Sequence, residues 1–165
     1  MARADGNGWV RCRCGQRHWG LHGAAGLVLL RPTAEVPELL LQLRAGWTHQ
    51  GGSWGLPGGA RDSHEDVVAA ALREAAEEVG LDAAEVAVTG SAVGVDHVEW
   101  RYTYVIAWAD DSVDVHVRND ESDEIRWVPL DDVSALPLHP ALAQSWPALL
   151  ARLASGRPQV AAGCG

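Results

Sequence analysis

The segment from Gly59 to Leu81, GARDSHEDVVAAALREAAEEVGL, places Glu65, Asp66, Glu74, Glu77 and Glu78 within 23 residues. On a helix turning about 100 degrees per residue, Glu74, Glu77 and Glu78 gather on one face. Val68, Leu72, Ala75 and Val79 fall on another stripe, suited to a core. Carboxylates three and four residues apart repel by about 0.2–0.5 kcal/mol per pair on an isolated helix. A hard divalent cation relieves that repulsion: Mg²⁺ takes oxygen ligands, keeps several waters and bridges to substrate phosphates. A solvated acidic face is the competing reading, and the glutamates by themselves do not exclude it.

Positioning these groups requires a helix with defined ends. Ser63 is an N-cap candidate, with Asp62, Glu65 and Asp66 near the positive end of the dipole. The helix is expected to run to about Val79, with Gly80 as the C-terminal cap glycine. Before it, GAAGLVLLR and LLLQLRA read as an antiparallel strand pair around the turn RPTAEVPE, and a short extended piece is expected at Ser53 to Leu56. After it, EVAVTGSAVGVDHVEW, RYTYVIAWA, SVDVHVRN and EIRWVPL each carry the β-branched, aromatic or alternating pattern of a strand. Pro140 and Pro147 each suit a helical first turn, which predicts a short helix followed by a longer one. Residues 1–19 are expected to be irregular, residues 20–155 to form one domain, and residues 156–165 to fray.

Composition narrows the function classes. The chain has 165 residues and 47% apolar content, enough for one domain with its own core. Phe is absent, so the eight Trp and the aliphatics are expected to fill that core. A formal charge of −9 with no basic run argues against a nucleic-acid polymer as partner. All 13 basic residues are Arg, which excludes a lysine Schiff base and a Walker-type phosphate loop. No segment has the length of a membrane span or the pattern of a signal peptide, so a cytoplasmic location and no membrane partner are expected. The oligomeric state is open, and a homodimer is among the states the sequence allows.

The carboxylate segment resembles the Nudix hydrolase box, G-x5-E-x7-R-E-U-x-E-E-x-G-U, where U is aliphatic. Gly59, Glu65, Arg73, Glu74, Glu77, Glu78 and Gly80 fill the fixed positions, with Ala75 and Leu81 at the aliphatic ones. At ordinary residue frequencies such a match arises in about one window in 10⁸. WGLPGG before the box and ESDEIRWVPLDDV after it extend the resemblance from about residue 22 to residue 153.

The resemblance implies an α/β fold: an α/β/α sandwich around a mixed, largely antiparallel sheet. It further implies hydrolysis of a nucleoside diphosphate linked to another moiety, with Mg²⁺ or Mn²⁺ as cofactor. The substrate would be a small molecule: a nucleoside triphosphate, oxidised or not, a nucleotide sugar, a dinucleoside polyphosphate or ADP-ribose. Carried over by position, Glu74, Glu77, Glu78 and the Gly59 carbonyl would hold the metal, and Glu65 would pair with Arg73. Glu78 or Glu77 would orient or deprotonate the attacking water, with Glu121 as a rival base and an extra metal ligand. A nucleotide-binding regulatory domain of the same fold, without turnover, is the alternative. Loss of a box carboxylate would betray such a domain, and none is missing.

Three further stretches invite chemistry. In RAGWTHQGGSW, Arg44 and His49 could meet phosphate and Trp47 or Trp54 could stack on a base. His97, Glu99, Trp100 and Tyr102 in DHVEWRY could read the leaving group, with packing as the default. In CRCGQRHWGLH, Cys12, Cys14, His18 and His22 suggest zinc, but the C-x-C interval is shorter than that of common structural sites. Reduced thiols beside surface histidines are the expectation, since three cysteines make no disulfide framework.

Overall fold

In the computed structural model, which describes residues 4–155, a seven-stranded sheet lies between two helices. Strand β3 (Ala24–Arg31) carries the apolar run AAGLVLLR because both of its faces are covered. It runs parallel to β8 (Trp100–Ala109) and antiparallel to two partners at its two ends. At Leu30 and Arg31 that partner is β4 (Glu38–Arg44), and at Ala24–Gly26 it is β6 (Gly58–Ala60). Between these ends β4 leaves β3, and the sheet splits.

On its far side β4 pairs with β9 (Ser122–Pro129), and on the edge that β3 has left it pairs at Gln42 and Leu43 with the two-residue β5 (Trp54–Gly55), both antiparallel. The other edge is β7 (Val86–His97), antiparallel to β8. The sheet is therefore mixed and largely antiparallel.

Alternation along the strands divides the core in two. Leu27, Leu29, Leu40, Val105 and Ala107 face helix α1 (Val67–Val79), while Val28, Leu30, Leu39, Leu41 and Ile106 face helix α2 (Pro140–Ser155). Helix α1 presents Ala70, Ala71, Ala75 and Val79, whose small side chains bring the helix axis close to the sheet. The expected stripe is thus rotated: Val68 and Leu72 lie half-buried at its margin. Helix α2 buries Leu142, Trp146, Leu149 and Leu153 at helical spacing.

Several expectations are corrected by packing. Asp66 caps α1, accepting from Ala69 N at 2.8 Å, because Ser63 and Asp62 are engaged by the N-terminal segment. Ser63 N donates to Asp5 Oδ1 at 2.8 Å, and Gly6 N donates to Asp62 Oδ1 at 2.7 Å. SVDVHVRN is no strand: His116 N and Arg118 N donate to the carbonyls of Val79 and Glu78, both at 3.0 Å, and so close the end of α1. Pro147 starts no second helix but sits inside α2, on its exposed side with Ala143, whose carbonyl loses the i+4 donor. The apolar stripe on the other side carries the helix through.

Residues 9–11 and 17–19, expected to be irregular, form a hairpin of β1 (Trp9–Arg11) and β2 (Arg17–Trp19). Of the tryptophans, Trp54 and Trp146 are buried while Trp9, Trp19 and Trp47 are exposed, so Leu and Val make most of the core. The tail 156–165 lies outside the described residues. Among the described residues no helix is long and apolar enough to cross a membrane.

Gly80 ends α1 in the left-handed region, at φ 72°, and a Cβ there would meet His116 Cε1 at 2.9 Å. Gly80→Ala is therefore expected to destabilise the fold by about 1–2 kcal/mol, lowering Tm by roughly 3–6 °C. Urea and thermal unfolding measure this, and unchanged stability would show that the capping segment relaxes freely.

Candidate functional site

The loop between β6 and α1 is held by one guanidinium. Arg73 Nε and Nη2 donate to the two carboxylate oxygens of Glu65 at 2.6 and 3.0 Å. Nη2 also donates to the Ala60 carbonyl at 2.9 Å, and Nη1 to Glu74 Oε1 at 2.8 Å. Glu65 lies just before α1, and it also accepts from Asp62 N at 3.1 Å. Arg73 therefore ties the strand, the loop and the helix together. Its hydrogen bonds hold the Glu65 carboxyl below the usual carboxylate range, and those of Glu65 in turn raise the guanidinium pKa.

Glu78 lies one helical turn beyond Glu74, at the split of the sheet, and is only 7% exposed. Its Oε2 accepts from Gln42 Nε2 of β4 at 3.1 Å and from Gly58 N of β6 at 3.0 Å. Gln42 is itself buried and receives Ser122 Oγ at 3.2 Å on its carbonyl side. Burial pushes the Glu78 carboxyl up to about 7 against those two hydrogen bonds, and the charges of Glu74 and Glu121 add to the rise. Burial also raises Glu74, against the pull of Arg73.

Glu74 closes on the backbone of Gly59, where a Cβ would stand 2.7 Å from its carboxylate carbon. Only glycine leaves the carboxylate that place. Glu77 is the outward member of the group, its side chain 60% exposed and its Oε1 3.6 Å from Arg73 Nη1. Glu121 enters from the loop before β9, exposed, with its carbonyl accepting from Ala45 N at 2.8 Å.

The donor set is all oxygen, and its charge exceeds what the one arginine neutralises. Such a set fits a hard divalent cation and has nothing to offer a soft one. The structure brings Gly59, Glu74 and Arg73 into direct contact, and Glu78 and Glu121 into electrostatic reach of that group. Glu77 stands at its rim.

Arg44 and His49 also come together, Arg44 Nε donating to the His49 carbonyl at 2.9 Å. Trp47 is 68% exposed and donates from Nε1 to the Asp120 carbonyl at 3.2 Å, which ties its loop to the loop of Glu121. The sequence reading missed two residues here. Gln42 had a signal, being a polar residue inside LLLQLR, where a buried amide must have partners. His139 had none: it approaches Arg44 because Trp54 pairs with the segment before α2, and burial together with Arg44 and His49 lowers its pKa.

Known proteins are similar to this chain in sequence and fold. The sequence pattern of the NUDIX domain family matches residues 20–149. A Mycobacterium tuberculosis protein bearing the provisional name 8-oxo-dGTP diphosphatase 3 is 50% identical over 152 residues, covering 88% of this chain and 70% of its own. The crystal structure of a Nudix hydrolase from M. smegmatis, RenU, superposes with a TM-score of 0.86 at 46% identity, covering 93% of this chain and 98% of that one. A C. elegans Ap4A hydrolase shares the fold at a TM-score of 0.64 and 24% identity, over 81% of this chain and 98% of its own.

Arg73→Ala would leave Glu65 and Glu74 partly buried without their cation. It is expected to cost about 2–3 kcal/mol in urea unfolding, with Arg73→Lys recovering less than half because an ammonium cannot make the bidentate contact. An Arg73→Ala protein as stable as wild type would show that the cluster contributes nothing to the fold.

Proposed function

This chain belongs to the Nudix family and is a Nudix hydrolase, and from that premise we propose that it is a metal-dependent pyrophosphohydrolase of nucleoside triphosphates, with oxidised purine deoxynucleoside triphosphates as its preferred substrates. The carrying observation is the buried, doubly hydrogen-bonded Glu78 beside Glu74 and the Gly58–Gly59 backbone. The substrate class is supported by the relative whose provisional name is an 8-oxo-dGTP diphosphatase.

Glu74, Glu77 and Glu78 of α1, the Gly59 carbonyl and Glu121 would hold Mg²⁺ or Mn²⁺. When bound, the cation neutralises phosphate oxygens and lowers the pKa of a bound water. The chain's own groups do the rest. Gln42 and Gly58 both bond Oε2 of Glu78, which fixes the carboxylate plane and leaves Oε1 without a protein donor among the described residues. Arg73 fixes Glu74 through one oxygen. Water attacks phosphorus, the P–O bond to the bridging oxygen breaks, pyrophosphate leaves and the nucleoside monophosphate remains. The proton of the attacking water passes to a carboxylate, Glu78 or Glu77 on the helix or Glu121 on the loop.

Arg44 and His49 would meet the phosphates, and Trp47 offers an exposed indole on which the base can stack. Trp47 is linked to the Asp120 carbonyl, next to Glu121, so base and metal would be read by neighbouring loops.

Glu78→Gln is expected to lower kcat about 10³-fold with an unchanged circular dichroism spectrum. Glu121→Gln separates the two roles: a lost base lowers kcat at saturating metal, whereas a lost ligand raises the metal concentration for half-maximal activity. The substrate is tested with ordinary and oxidised deoxynucleoside triphosphates, nucleotide sugars, dinucleoside polyphosphates and ADP-ribose, with and without Mg²⁺ or Mn²⁺. The highest kcat/KM is expected for an oxidised purine triphosphate, with pyrophosphate released. Preference for another compound would overturn the substrate. Metal-saturated protein that binds but turns over none of them would overturn the enzymatic reading.

A further inference from the structure

The turn between β1 and β2 is closed by backbone bonds, Cys12 N to the Gln16 carbonyl and Gly15 N to the Cys12 carbonyl, both at 3.0 Å. Gly15 takes a φ of +86°, which reverses the chain sharply enough to set Cys12 and Cys14 side by side despite the single residue between them. Cys14 N donates to Cys12 Sγ at 3.4 Å, and Cys14 Sγ lies 3.3 Å from His18 Nε2. The fourth member is not His22, which stands 4.0 Å from Asp5, but His97 at the far end of β7. One ligand atom from each of Cys12, Cys14, His18 and His97 lies within 4.8 Å of all the others. The four ligands of a tetrahedral zinc, at about 2.0–2.3 Å from the metal, sit roughly 3.3–3.8 Å from one another.

We propose that Cys12, Cys14, His18 and His97 form a structural zinc site that fastens the N-terminal hairpin to the tip of the β7–β8 hairpin. Two thiolates and two imidazoles suit zinc and exclude magnesium. None of the four belongs to the carboxylate group on α1, so the site is chemically and spatially its own.

The mechanical need is plain. Strands β1 and β2 have three residues each, pair only with one another, and show an exposed–half-buried–exposed pattern. Trp9 and Trp19 pack edge to face across the two strands, but both are exposed and the contact is made on the surface. A two-stranded hairpin of that kind is marginal in water without a staple.

The surroundings suit a bound metal. Trp100 stacks on the His18 ring at 4.5 Å and 12°, and His97 lies against it at 4.9 Å. Trp100 Nε1 donates to the Trp19 carbonyl at 3.1 Å, so the same two hairpins are joined beside the site. Glu99, 3.6 Å from Cys12 Sγ, is neutralised by Arg13 at 2.7 Å. The other clustered group, Asp62, His64 and Glu65, has its carboxylates engaged by Gly6 N and Arg73 and offers no comparable set.

The test needs no substrate. Protein purified under reducing conditions without chelator is expected to carry about one equivalent of zinc by elemental analysis, retained in Glu78→Gln and lost in Cys14→Ser and in His97→Ala. Wild-type protein stripped of metal and titrated with Co²⁺ should show the visible bands of a tetrahedral ion and a thiolate charge-transfer band, both absent from Cys14→Ser. Stripping should speed proteolysis within residues 9–19, and zinc should reverse it. Turnover with saturating Mg²⁺ should survive in folded Cys12→Ser. Zinc-free protein whose Co²⁺ spectrum lacks thiolate charge transfer, or zinc lost with Glu78→Gln and kept with His97→Ala, would overturn the site.

Discussion

The burial of one carboxylate governs this structure. Glu78 sits in the gap where β4 leaves β3, and an ion in that place must find donors within the protein. Two arrive from different strands, Gln42 from β4 and Gly58 from β6, and both strands owe their positions to the split. Had β4 stayed paired with β3 along its length, there would be no gap for the carboxylate and no edge for β6. The split is affordable because β4 finds a full ladder on its other side, with β9, and β3 finds β8. Burial without a full complement of charge-stabilising donors raises the proton affinity of Glu78, so the folded chain carries an electrostatic deficit at one point. A bound cation is the simplest group that removes it.

Helix α1 is shaped by the same demand. Ala70, Ala71 and Ala75 set it close to the sheet, near enough for Glu74 to occupy the space beside Gly59 that any side chain would fill. Arg73 then faces Glu65, Glu74 and, at the rim, Glu77, one cation against three anions. It fixes the geometry while leaving the net charge negative. At the other end Gly80 and the segment through His116 and Arg118 satisfy the last carbonyls, including that of Glu78 itself. The residue with the most exacting side-chain environment thus has its backbone tied down as well.

What could be read from the sequence follows from how local its cause is. The box, the helix it spans, the cap at Gly80 and the strands around it depend on periodicity and on residue types within one segment, and they were legible. The cap at Asp66 was not, because Ser63 is taken by Asp5, 58 residues away. The segment 112–119 has a strand's composition, yet its donors go to helix carbonyls, a choice made only in the tertiary structure. Pro147 reads as a helix start, but four buried residues on the opposite side outweigh one missing N–H. At the candidate site Glu65, Arg73, Glu74 and Glu78 were legible as a spacing. Gln42 was visible only as an anomaly, and His139 and His97 come from elements whose approach no local pattern announces.

His97 shows why the fourth partner of a cluster is the hardest to read. A ligand contributed from the same turn is marked by its spacing, as Cys12, Cys14 and His18 are, and His22 looked better than His97 on that criterion alone. Spacing reports which groups can meet at low entropic cost; it says nothing about a group delivered by a sheet edge 79 residues further on, as His97 is from His18. The chain consequently separates its two donor chemistries by secondary structure. Hard oxygen donors stand on a helix whose register holds them three and four residues apart, where negative charge accumulates. Soft donors stand on a tight turn and a strand end, where the same kind of contact joins elements that share almost no core. The first arrangement needs an excess of negative charge to work, and the second needs only geometry, which is why the first was recognisable from residue types and the second had to be seen folded.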